Sequence, residues 1–171
     1  MPRHTDRIAE QSFDMHHFLK PWNNLMTKAK LGPDSIEWLG TQYKMMLPSS
    51  ATNGTLAVFE SISPAGSGPP RHIHHAEDET FVLLTGRCEF WMDGKTHIDG
   101  PGATVFVPRG TAHTFKVIGD ADCHHLTILS PGGFEGFFAE MAQGNYRIPE
   151  DMARVSEIAA RFNLNFVGPP L

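Results

Sequence analysis

A chain of 171 residues, 40% hydrophobic and 19% charged, is long enough for one domain with a buried core and too apolar to stay disordered. Its net charge of −5, with no Lys/Arg cluster, argues against nucleic acid as a partner, because an acidic surface repels phosphate. Met1 to Arg7 lead into no apolar run and no stretch matches a bilayer span, so a cytoplasmic protein with no membrane partner is expected.

In chain order, Asp14 to Leu19 reads as a short helix that Lys20-Pro21-Trp22 would stop. Ile36–Leu39 and Tyr43–Leu47 read as strands, Ser49 to Gly54 as a turn-rich break, and Thr55–Ile62 as a further strand. The run Ser63 to Pro70 holds three prolines and two glycines and must bend. Seven short strands are then predicted: 72–74, 79–84, 87–92, 95–98, 104–107, 113–117 and 124–129. Turn signals such as Thr85-Gly86, Asp93-Gly94 and Pro108-Arg109-Gly110 separate them. This spacing predicts an all-β sandwich or barrel over about 36–130.

After Pro131-Gly132-Gly133 the period changes. Phe134, Phe137, Phe138 and Met141 form one helical stripe, and Met152, Val155, Ile158 and Phe162 a second. A pair of helices within about 134–163 is expected to pack on the outside or one end of the barrel. Cys88 and Cys123 form neither a CxxC nor a disulfide framework, and nothing in the sequence predicts that they meet.

Ten histidines are many for this length. On a strand, residues two apart share a face, so His72 and His74 present two imidazoles together with Ile73 turned away. An inward Glu79 brings Phe81 and Leu83 with it, and an inward His113 brings Phe115 and Val117. A carboxylate buried without a partner costs several kcal/mol, which a divalent cation removes. Imidazoles with one carboxylate suit Fe, Ni, Mn, Cu or Zn. Against this, a lone histidine on a strand is usually structural, and the glycines and Pro108 have turn roles regardless of function.

The marked residues also fall in one register. Gly66, His72-x-His74, Glu79 and Gly86 are followed by Gly102, Pro108-x-Gly110 and His113. This two-part pattern resembles that of the cupin superfamily, with one departure at Val117, where that family often has Asn. The resemblance implies a jelly-roll barrel, commonly a homodimer, with a metal on His72, His74, Glu79 and His113. Single-barrel members with a C-terminal helical pair are similar to quercetinase-like dioxygenases. That implies a small aromatic or enolisable substrate and Glu79 as the catalytic proton acceptor, its pKa raised by an apolar wall. Phe81, Leu83, Phe90, Phe115 and Val117 are the candidate substrate walls. Glu77 could replace Glu79 as ligand or accept a hydrogen bond from a ligand, although the spacing favours Glu79. A metal-dependent isomerase, hydrolase or decarboxylase, or a non-catalytic binding module, would use the same cluster.

The other candidates receive bland readings. His75 should point away from the cluster, His97 should be exposed near a hairpin end, and one of His124 and His125 could face inward without a role. Arg71 and Arg109 read as surface residues. No phosphate-binding glycine loop or serine-nucleophile elbow is present.

Overall fold

A computed structural model describes residues 30–171. The helix expected at Asp14–Leu19, together with His4, His16 and His17, lies outside the described residues. Eleven strands and two helices follow in the order β1 (Ser35–Trp38), β2 (Thr41–Leu47), β3 (Ala57–Ser63), β4 (Arg71–His74), β5 (Asp78–Thr85), β6 (Cys88–Met92), β7 (Lys95–Asp99), β8 (Thr104–Val107), β9 (His113–Val117), β10 (Cys123–Ser130), α1 (Glu135–Gly144), α2 (Met152–Arg161) and β11 (Leu164–Gly168). No helix among the described residues is long and apolar enough to cross a membrane.

Two antiparallel sheets face each other. One runs β1-β2-β3-β10-β5-β8 and the other β11-β4-β9-β6-β7. Every strand predicted after the bend at 63–70 is present within a residue or two of its expected limits. β11 was not predicted. The stretch after α2 adds an edge strand, with Leu164 opposite His74 and Phe166 opposite His72. It therefore backs the strand that carries the paired histidines.

The interior is divided along the barrel axis. One apolar cluster joins Phe59 and Leu129 to Phe134, Phe137 and Met141 and, on α2 and β11, Val155, Ile158 and Leu164. A second fills the opposite end with Phe81, Leu83, Cys88, Phe90, Val105, Val107, Val117 and Cys123. The helices cap one end of the barrel. Trp38 Nε1 donates to the Tyr146 carbonyl at 2.8 Å, and Glu135 accepts from the Ser49 and Gly133 amides at 2.9 and 2.6 Å, tying β1 and the turn after β2 to the cap. Cys88 and Cys123 do meet: their sulfurs lie 3.3 Å apart as free thiols in the second cluster.

Two motif glycines separate the demands of the fold. Gly86 has φ +77°, and a Cβ there would lie 2.6 Å from the Asp122 carbonyl oxygen; Gly102 has φ +87° with open space around it. Both positions disfavour a side chain, but only Gly86 lacks room. Gly86→Ala is therefore expected to cost about 3 kcal/mol, against about 1 kcal/mol for Gly102→Ala, read from urea unfolding midpoints. Equal costs would show that the strand crossing at Asp122 is not tight.

Candidate metal centre

The two sheets supply complementary halves of one cluster. His72 and His74 alternate inward on β4, and His113, the first residue of β9, pairs directly across from His72. Glu79 comes from β5 in the opposite sheet, held between Val107 of β8 and Leu129 of β10. All four are buried, and one donor atom from each lies within 4.8 Å of the others.

Backbone carbonyls set two of the rings. His72 Nδ1 donates to the Pro70 carbonyl at 2.8 Å and His113 Nδ1 to that of Thr111 at 3.0 Å. A carbonyl can only accept, so Nδ1 carries the hydrogen and Nε2 is left for the centre. His74 Nδ1 lies 3.5 Å from Glu77 Oε2, and both atoms are buried without a hydrogen-bond partner. Glu77 thus lies behind His74 and outside the cluster, while Glu79 Oε2 lies in it, 2.9 Å from His113 Nε2 and 3.8 Å from His74 Nε2.

The electrostatics favour positive charge at this point. Burial and the neighbouring imidazoles push His72 down to about 3, so it is neutral. Burial would raise Glu79, but the His113 hydrogen bond and the imidazole charges outweigh it and hold the carboxyl at about 2. The elevated carboxyl expected from an apolar wall is therefore corrected: the same barrel that buries the acid surrounds it with donors. Burial opposes a charged His113, yet the Glu79 carboxylate raises its pKa. Its Nε2 proton sits where an electrophile would sit, facing a carboxylate and two imidazoles. Three imidazoles, two of them aimed by backbone carbonyls, plus one buried carboxylate fit a divalent transition metal.

The cluster opens on a cavity of about 230 Å³. Phe81 and Phe115 line it. Leu83, Phe90 and Val117 do not; they belong to the packed cluster at the far end. Two residues along a strand descend about 7 Å, so side chains on the right face can still lie below the floor. Val117 is sealed in that floor, and its backbone holds the bend before β4, donating to Ser67 O at 2.8 Å and accepting from Gly66 N at 2.9 Å. The Asn-to-Val departure therefore alters buried packing and not the cavity wall.

The roof comes from residues read as packing alone. Phe134, Phe137 and Phe138 of the α1 segment face the cavity, with Phe134 edge-on to His74 at 4.4 Å between ring centroids. Tyr43, Phe59 and Phe166 complete the aromatic wall. His125, which carried no expected role, is buried and lines the same space. His75 is exposed. His97 is half-exposed, paired with Asp99 at 3.1 Å and stacked on Phe90. Arg109 forms a two-pronged pair with Asp78 beside Glu79, and Arg71 lies over the Trp91 ring at 4.6 Å.

Comparison with known proteins agrees with this geometry. The family described as Cupin domain matches residues 58–129. The chain is 31% identical over 99 residues to quercetin 2,3-dioxygenase of Bacillus subtilis (strain 168), covering 56% of this chain and 28% of that protein. It is 30% identical over 96 residues to the dimethylsulfoniopropionate lyase DddQ of Ruegeria pomeroyi, covering 56% and 47%. The chain thus spans less than two thirds of the length of these curated relatives. Among solved structures, a predicted oxalate decarboxylase from Thermotoga maritima superposes with a TM-score of 0.51 at 23% identity, over 53% of this chain and 80% of that one, which speaks to the fold. A jelly-roll of two facing sheets, the His72/His74/Glu79/His113 cluster between them and the match over 58–129 together place this chain in the cupin superfamily, as a single cupin barrel capped by two C-terminal helices.

Proposed function

We propose that this protein is a metal-dependent dioxygenase acting on a flat aromatic or enolisable small molecule. The observation that carries the reading is a three-histidine, one-glutamate cluster opening directly into a cavity walled by aromatic rings. The 31% identity to a quercetin 2,3-dioxygenase supports it. His72, His74, Glu79 and His113 would hold the ion, with Fe, Ni, Mn, Cu and Zn all compatible with the donors. When bound, the metal supplies a Lewis-acidic position for substrate oxygen and dioxygen.

The chain's own groups provide the rest. Glu79 is the sole formally charged side chain lining the cavity among the described residues; held ionised with its carboxyl at about 2, it orients an acidic substrate hydroxyl by accepting its hydrogen bond and does not keep the proton. Phe81, Phe115, Phe134 and Phe138 pack a planar ring and exclude water. The Glu77 carboxylate, 3.5 Å behind His74 Nδ1, sets a negative charge at the back of that ring. A Lewis-acid lyase or decarboxylase is the second reading, favoured by the 30% identity to a lyase.

Elemental analysis and an oxygen electrode decide between them. Protein purified without added metal is expected to hold about one equivalent of a redox-active ion. It should consume oxygen on flavonols, catechols or diketones. Turnover of substrate with no oxygen uptake would replace the dioxygenase reading with the lyase one.

A further inference from the structure

The cavity has a second polar face, away from the cluster. β10 turns Cys123, His125, Thr127 and Leu129 inward, and register places His125 beside Ser61 of β3 and Leu129 beside Glu79 of β5. The His125 backbone therefore lies four residues along β10 from the metal row, on the order of 13 Å, and its ring still feels the Glu79 charge. Ser63 Oγ is 3.2 Å from His125 Nε2, and Thr127 Oγ1 is 3.3 Å from Nδ1. Between them, Ser61 Oγ is buried with no hydrogen-bond partner. All four residues line the cavity.

A buried hydroxyl without a partner costs free energy that an alanine would avoid. Here that hydroxyl belongs to a cavity-lining residue, next to an imidazole whose two nitrogens already have hydroxyl neighbours. The two faces are separated by Phe81 and Phe115, whose rings lie 5.8 and 5.6 Å from His125. No cationic side chain lines this cavity among the described residues.

We propose that Ser61, with Ser63, His125 and Thr127, forms a distal subsite that binds a neutral hydroxyl or carbonyl group of the substrate while the opposite end of the same molecule meets the metal. The inference rests on the cavity being the substrate site and extends that reading to substrate class. The ligand is long enough to reach both faces, apolar and flat in its middle, and uncharged at its distal end. A carboxylate there would find no counter-charge. Burial keeps His125 neutral at about 4, which agrees with this.

The test uses three probes: a flavonol with a hydroxyl on its distal ring, the unsubstituted parent flavonol and the distal carboxylate analogue. Binding is measured by fluorescence to the metal-loaded full chain. Wild type is expected to bind the hydroxylated probe about tenfold tighter than the parent, and the carboxylate at least about 100-fold weaker than the hydroxylated probe. Ser61→Ala should erase most of the hydroxyl preference while metal content stays at the wild-type level and thermal stability is equal to or above it. His125→Phe should also erase it, and Ser61→Ala keeps the test valid if that variant fails to fold. An unchanged preference in Ser61→Ala, tighter binding of the carboxylate, or no binding of any probe would overturn the subsite. Hydroxyl preference without oxygen uptake would sink only the dioxygenase reading; oxygen uptake without the preference would sink only the subsite.

Discussion

His113→Ala is expected to abolish stoichiometric metal binding, measured by elemental analysis after desalting. His113 supplies one of three imidazole nitrogens, and it reaches across to the other sheet through a 2.9 Å contact with Glu79. The metal-free variant should also be less stable than metal-free wild type by about 2–3 kcal/mol, because Glu79 stays buried after losing its hydrogen-bond donor. Two comparisons separate these effects. Glu79→Gln removes the charge but keeps the side chain's volume, so it should weaken metal binding with a smaller loss of stability. His97→Ala should leave metal content unchanged, since its half-exposed ring pairs with Asp99 at the hairpin beside β7. Wild-type metal content in His113→Ala would show that the four side chains do not share an ion.

The strands between 71 and 130 were legible because each is short and closed by Gly, Pro or Asp, and a chain punctuated that often has few alternatives to a barrel. The four-residue cluster was legible for a related reason. Alternation fixes which face a strand residue takes, and the four donors share one face each. Alternation does not fix depth, which is why Leu83, Phe90 and Val117 were expected beside the cavity and are found beneath it. Which of His124 and His125 faces inward was not legible because β10 is apolar on both faces: Leu126 and Ile128 are only half-buried, while Thr127 and Leu129 face the interior. β11 had no pattern of its own beyond the turn at Asn163, and it exists because β4 has an edge to cover. The aromatic stripe of α1 read as packing and does pack, but the surface it packs against is the mouth of a cavity. The cysteine pair depended wholly on tertiary placement.

The metal-free protein should lose stability steeply as pH falls from about 6.5 toward 4. Burial, first of all, depresses His125 to about 4 and His72 to about 3, from an ordinary value of 6.5. In the folded chain both stay neutral through this window, whereas in the unfolded chain both take up a proton. The unfolded state therefore binds about two more protons near pH 5, and stability falls by about 2.7 kcal/mol per pH unit there. Above pH 6.5 this contribution is fully present. His113 behaves oppositely, since its raised pKa adds stability that is complete below pH 6.5 and is lost as pH rises through the folded value. It leaves the acid slope between 6.5 and 4 unchanged. Glu79, held at about 2, adds its own loss only below about 4.5. Urea unfolding at a series of pH values, with a chelator present so that metal release does not contribute, reads the slope. His125→Asn should remove about one proton's share, roughly halving it near pH 5. A flat profile between pH 7 and 5 would mean that these two imidazoles are not buried in neutral form, and the distal subsite would then no longer be an uncharged one.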